Sequence, residues 1–306
     1  MKNKIIQTYM PFLGLILVIG LFTFLTGWET ISATNLRQVI NQSFITMIPC
    51  TGVAFVMAMG SLDFSQGSVL ALASYCAGWV TRVNMVLGLV VGIFVAAAIG
   101  LLNGWLNAKL KIPSFIATIC TMLIFRSIEV VLSFQYKPKV PNAIFEYDDF
   151  KIKLIAVIVI LIIGFILFYY TKFGKQVRAI GAGEIAASFS GVRVDMIKMA
   201  AFTIAGAMAG VAGFFTLART GMVSASTGLL QETNVMIALV LGGLPVSGGA
   251  RAKYTAVIVG ALLISFLMNG LVQIGVEPVT QQLIKGLIFL IVIIMTTDRS
   301  TDLVSK

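Results

Sequence analysis

Polar side chains in this chain are confined to short intervals between long apolar runs. The charge-poor stretches, taken in order, predict ten spans. The first is Phe12 to Trp28, the second Ile40 to Met59, and the third Ser65 to Thr81, short and glycine-containing. The fourth, Val83 to Ala108, is uncharged, and the fifth, Ile112 to about Gln135, carries Arg126 and Glu129. The sixth is Leu154 to Tyr170, the seventh Met199 to Ala218, and the eighth Thr233 to about Leu244. The ninth is Tyr254 to Val276, and the tenth, Val279 to Thr297, holds Lys285. Each is near the roughly 20 residues that cross a bilayer as a helix, the third and eighth only marginally. The pattern predicts an all-α polytopic membrane protein, a single transmembrane domain over residues 1–306.

The longest polar interval is Thr171 to Lys198, with Lys172, Lys175, Arg178, Arg193 and Lys198 against Glu184 and Asp195. Inside it, Glu184 to Phe189 contains good helix formers with a carboxylate in the first turn, where the helix dipole favours it. Gly183 precedes this run, and Gly191 follows as a helix stop. The interval predicts a short helix outside the bilayer. Composition leaves two readings of it level, a docking knob for a soluble partner and an ordinary solvated loop.

Two intervals mix glycine with polar residues where a span should begin or end: Gly60-Ser-Leu-Asp-Phe-Ser-Gln-Gly67 and Gly242-Gly-Leu-Pro-Val-Ser-Gly-Gly249. Irregular backbone survives at membrane depth only where it is packed in protein or lines a wet cavity, so both read as broken helices. Asp63 either lines a polar pathway or, with Ser65, caps the third span, and both roles can hold together. Ser65, Gln66, Asn103, Phe115, Asn234 and Asn269 join it as candidate path residues. Glue between helices is the competing role for the amides, and packing for the aromatic ring. Arg126 and Glu129, three apart, share a helical face and are expected to pair with each other. Asn103-Gly104 before Pro113 is echoed by Asn269-Gly270 before Pro278, as an inverted repeat of five spans each would give.

Composition narrows the function. The chain has 306 residues, 58% hydrophobic and 11% charged, with 22 basic and 12 acidic side chains, and a mean hydropathy of +1.00. The net charge of +10 is scattered through short loops, which fits the positive-inside bias better than nucleic-acid binding. With both termini inside, Lys109, Lys111, the 172–198 loop, Arg251 with Lys253, and the Arg299 tail all fall on the cytoplasmic side. The Lys137 to Lys153 segment falls outside and reads chiefly as a solvated linker. The cationic start, Met1 to Lys4, and the weak cleavage pattern Ser32-Ala-Thr34 have the outline of a signal peptide. An uncleaved first span is the preferred reading, because many spans follow. There is no histidine, so histidine catalysis and histidine metal sites are excluded. The three cysteines, Cys50, Cys76 and Cys120, lack metal-ligand spacing and read as packing residues. No Walker-type loop and no catalytic triad pattern appears. Neither catalytic nor metal-binding residues are expected.

Several stretches together resemble the permease subunit of ribose-type ABC importers. Gly60 to Val69 is similar to that family's Gly-Gly-Ile-Asp-Leu-Ser-x-Gly-Ser segment. Asn103-Gly104, Ile112-Pro-Ser-Phe115 and Phe125-Arg126 follow its pattern, as do Leu241-Gly-Gly, Ser247-Gly-Gly249, Asn269-Gly270 and Gln282-Leu-Ile-Lys-Gly286. The run Gly181 to Gly191 resembles its coupling loop, reading Glu-Ile-Ala-Ala where the family has a Glu-Ala-Ala type. Ser61, Pro245 and Ala250 depart from the pattern. The resemblance implies a subunit of the bacterial cytoplasmic membrane, paired with a second permease chain, identical or not. An ATPase subunit carrying ATP and Mg would dock on Gly183, Glu184, Ala186, Ala187 and Gly191. An extracytoplasmic binding protein would deliver a monosaccharide. Nucleosides, a furanosyl signal molecule and branched-chain amino acids remain alternative solutes, and an ion-coupled secondary carrier the alternative class.

Overall fold

The computed structural model describes the backbone of residues 2–296 and the side chains of residues 9–294. The expected end of the tenth span at Thr297 and the Arg299 tail lie outside the described residues. Twelve α-helices follow one another, with no strand among the described residues: α1 (Lys2–Leu25), α2 (Ala33–Ala58), α3 (Gln66–Val80), α4 (Met85–Ala108), α5 (Ser114–Gln135), α6 (Phe150–Tyr169), α7 (Lys172–Ala182), α8 (Glu184–Phe189), α9 (Val194–Thr220), α10 (Gln231–Leu241), α11 (Thr255–Gln273) and α12 (Pro278–Thr296). Among these, α2, α4, α5, α6, α9 and α11 are long and apolar enough to cross a membrane, and shorter apolar stretches occupy Tyr9–Leu25 and Pro278–Ile294. The third and eighth predicted spans are the short helices α3 and α10, of 15 and 11 residues. At 1.5 Å per residue, α10 reaches only about halfway through a 30 Å hydrocarbon layer.

Helix ends follow local chemistry. The Ser32 hydroxyl accepts the Asn35 N–H at the start of α2, so Ser32-Ala-Thr34 opens a helix. Thr171 accepts the Gly174 N–H and thereby starts α7, a helix that the apolar pattern does not reveal because most of its side chains are polar or small. The seventh span begins earlier than hydropathy suggests: α9 starts at Val194, inside the polar interval.

At the centre, α4 and α9 pack antiparallel. Small residues recur every fourth position on α4, at Gly92, Ala96, Gly100 and Gly104. A Cβ added at Gly210 of α9 would meet the Gly92 carbonyl, at Gly100 the Phe202 carbonyl, and at Gly104 the Met199 backbone. Without side chains between them the backbones come close enough for dense van der Waals packing, the usual source of helix association in lipid. Most of α2, α10 and α11 is buried, with α2 packed against α9 and with α10 and α11 packed against α2 and each other, whereas α5 and α6 turn apolar side chains such as Leu123, Phe134, Ile155 and Ile162 outward. The Lys137 to Lys153 segment is not a loose linker. It forms a 3-10 helix at Asn142–Asp148 whose Ile144 is fully buried, and Lys153 is buried against Asp148 at 2.7 Å.

Candidate functional site

The break between α2 and α3 is held by side chains from α3's own start, α4 and α5. Asp63 Oδ1 accepts from the Ser65 N–H at 2.9 Å and from the Ser65 hydroxyl at 2.6 Å, and Oδ2 accepts from Gln66 Nε2 at 2.6 Å. Asn103 of α4 donates to Ser65 Oγ at 2.8 Å and accepts from the Thr121 hydroxyl of α5 at 2.8 Å. The unwound residues keep their backbone partners too: Leu62 N–H donates to Ser114 Oγ and Phe64 N–H to Thr118 Oγ1. Ser114, Thr118 and Thr121 lie at i, i+4 and i+7, one stripe of α5. Asp63, Ser65, Gln66 and Asn103 are thus brought together, each 1% exposed or less. Gln66 Oε1 alone among their side-chain oxygens has no donor among the described residues.

The other candidates lie elsewhere. Asn269 of α11 accepts from Asn35 Nδ2 at 3.0 Å, beside Thr30 and Gln273, toward the opposite end of the molecule from residues 171–198. Asn234 of α10 accepts from Lys285 Nζ at 3.0 Å. Phe115 sits in the first turn of α5, 47% exposed. Arg126 does not pair with Glu129 as its spacing suggests. Its guanidinium donates to the carbonyls of Thr227 and Gly228 and lies 3.9 Å from Glu232. The segment ahead of α10 presents two carbonyl oxygens, and the Arg126 guanidinium donates to these and not to the carboxylate on its own helix.

The two glycine-rich breaks meet. Gly249 N–H donates to the Ala58 carbonyl at 2.9 Å, joining the end of α2 to the segment after α10. A Cβ on Gly60 would meet the Ser247 carbonyl, and one on Gly181 of α7 would strike both Ala58 O and Gly249 N. Gly60, Gly248 and Gly249 have φ of +75°, +68° and +89°, a region that side chains other than glycine rarely enter. The 171–198 segment is therefore seated directly on the joint of both breaks.

Beyond this joint, α8 projects outward. Gly183 separates it from α7, and its carbonyl accepts the Ala187 N–H. Gly191, at φ +82°, ends the helix, with Val192 N–H bonded back to the Ala187 carbonyl. Ala187 is buried and anchors the helix, Ala186 is exposed, and Ile185 and Phe189 are 75% and 89% exposed. Glu184 reaches Lys198 of α9 at 2.6 Å, and Asp195 holds Lys109 and Lys111 at 3.0 and 3.1 Å. Between these pairs opens a cavity of about 610 Å³, lined by Lys109, Lys111, Glu184, Ile185, Phe189 and Met196 among others.

Helices interrupted beside buried polar side chains, in a bundle of membrane-length helices, define a multi-pass membrane transport protein. The model of the family described as "Branched-chain amino acid transport system / permease component" matches residues 35–293, and the chain belongs to that family. It is 30% identical to the ribose import permease protein of Bacillus subtilis (strain 168), over 97% of this chain and 95% of that protein. It is 26% identical to the ribose import permease protein of Escherichia coli (strain K12), over 87% and 86%. It is 26% identical to the xylose transport system permease protein of the same strain, over 96% and 93%. No solved structure matches the chain.

Proposed function

We propose that this chain is the membrane permease subunit of an ATP-driven importer that takes up a monosaccharide. The carrying observation is the likeness, over nearly the whole length of both chains, to permeases named for ribose and xylose import. Branched-chain amino acids are the second reading, favoured by the description of the family itself.

In this reading the exposed α8, with Gly183, Glu184, Ala186, Ala187 and Gly191, enters a groove on an ATPase subunit that carries ATP and Mg. Ile185 and Phe189 supply the apolar contact, and the Glu184–Lys198 pair fixes α8 to α9. Movement of α7 then passes through Gly181 to Ala58 and Gly249, and so to both helix breaks at once. ATP binding shifts the population between outward- and inward-facing forms through its different affinity for each. Two permease chains, identical or not, enclose the path, and an extracytoplasmic binding protein delivers the solute. Asp63, Ser65, Gln66 and Asn103 shape the path, and Gln66 Oε1 keeps free acceptor capacity for a solute hydroxyl. Phe115, Asn234 and Asn269 lie farther along it. The protein sits in the bacterial cytoplasmic membrane with both termini inside. The basic loops at 109–111, 172–198 and 251–253 gather at one end of the bundle, which supports that orientation.

The deciding experiment is expression with and without the chromosomal neighbours, followed by purification through a tag on this chain. An ATPase that co-purifies, and is lost when residues 184–191 are replaced by a Gly-Ser linker, is the expected result. A chain that purifies alone and moves solute into liposomes without ATP overturns the proposal.

A further inference from the structure

Glu129 is 0% exposed, and neither carboxylate oxygen has a hydrogen-bond partner among the described residues. It lies on α5, one turn beyond Arg126. Arg126 itself is committed elsewhere: Nη1 donates to the Thr227 carbonyl at 2.5 Å and Nη2 to the Gly228 carbonyl at 3.0 Å. Glu232, in the first turn of α10, stands 3.9 Å away with its Oε2 also lacking a hydrogen bond. One guanidinium therefore stands between two buried carboxylates and makes a close hydrogen bond with neither.

The segment it holds is wedged against the start of α3. A Cβ on Gly67 would strike Glu232 Oε2 and the Gly228 carbonyl, and Gly228 has φ +66°. Arg126 is the cross-brace that keeps residues 227–232 against α3 and α5. A buried, unpaired carboxylate is costly in a low-dielectric interior, and pairing relieves that cost. The i, i+3 spacing puts Glu129 within reach of the same guanidinium by side-chain rotation alone.

We propose that Arg126 is a positioning residue that exchanges between two holds: the Thr227 and Gly228 carbonyls beside Glu232, as in this structure, and the Glu129 carboxylate on its own helix. In the second hold the 221–230 segment and the start of α10 are released from α3. Each hold leaves one carboxylate without a close partner, and a bias from solute or partner selects between them. The inference goes beyond the transport reading and rests on neither the solute nor ATPase docking.

The test uses the purified full chain in detergent, with Cys50, Cys76 and Cys120 replaced by Ala and Thr227→Cys as a reporter. Thr227 is 9% exposed here, and its carbonyl, the group that Arg126 holds, is unchanged by the substitution. The rate of maleimide labelling reports release of the segment. Glu129→Gln, which removes the second hold, should slow labelling about five-fold, and Glu232→Gln, which weakens the first, should speed it about five-fold. Glu129→Asp retains the charge and should stay near the parent rate. With Arg126→Gln in the background, Glu129→Gln should have no further effect. An unchanged rate in Glu129→Gln, or a change of equal size with Arg126 absent, overturns the proposal. If Glu129→Gln does not purify as a single species, the Glu232→Gln rate with and without Arg126 decides in the same way.

Discussion

Asp63 sets the geometry by which α2 gives way to α3. Its two oxygens accept three hydrogen bonds, from Ser65 N–H, Ser65 Oγ and Gln66 Nε2. Asn103 then donates to the same Ser65 hydroxyl and accepts from Thr121. Removing the carboxylate strands the buried donors of Ser65 and Gln66. Asp63→Ala should cost about 2–4 kcal/mol, read as a lower unfolding midpoint of the purified chain in detergent. Asp63→Asn, which keeps an acceptor oxygen for Ser65, should lose clearly less. A wild-type midpoint for the alanine variant would show that the break is held by its backbone alone.

At the scale of elements, α7 and α8 divide the work of the polar interval. Ile185 and Phe189 of α8 face outward and pack on nothing that a substitution would expose. Changing both to Ser should leave stability within about 0.5 kcal/mol of wild type yet reduce ATPase co-purification at least about ten-fold, as loss of interface anchors does. Gly181 of α7 makes the opposite prediction. Its side-chain space is filled by Ala58 O and Gly249 N, so Gly181→Val must push α7 away from the joint of the two breaks. Docking should survive this substitution while ATP-driven uptake in proteoliposomes falls. Equal losses of docking and uptake would mean that α7 belongs to the docking surface and not to the joint.

For the whole molecule, the loop carrying Lys109 and Lys111, the 172–198 segment and the Gly249 turn share one end. The 3-10 helix at Asn142–Asp148 follows α5, which leads away from that end. The proposed orientation is checked with a membrane-impermeant maleimide on intact cells, using chains without native cysteines. Glu146→Cys should label and Ser188→Cys should label only after lysis. The reverse pattern would invert the orientation and place α8 where no ATPase can reach it.

The six long apolar helices, the small helix at Glu184–Phe189 and its stop at Gly191 follow from the sequence alone. Each is a local property: hydropathy over the thickness of a bilayer, a carboxylate in a first turn, a glycine free to take positive φ. The four-residue recurrence of Gly92, Ala96, Gly100 and Gly104, and the Ser114, Thr118, Thr121 stripe, are equally local, and a search for small or hydroxyl residues at helical spacing would have found both. The partners of those residues are not local. Arg126 sits three residues from Glu129 yet bonds carbonyls about a hundred residues away. Gly249 of the second break, so far from α2 in the chain, donates a backbone hydrogen bond to Ala58 at the end of α2, next to the first break. Asn103 and Asn269, alike in sequence, end in different networks. Spacing along a helix says which side chains can meet, but a long-range competitor for the same donor decides which do, and that competitor is placed only when the helices pack.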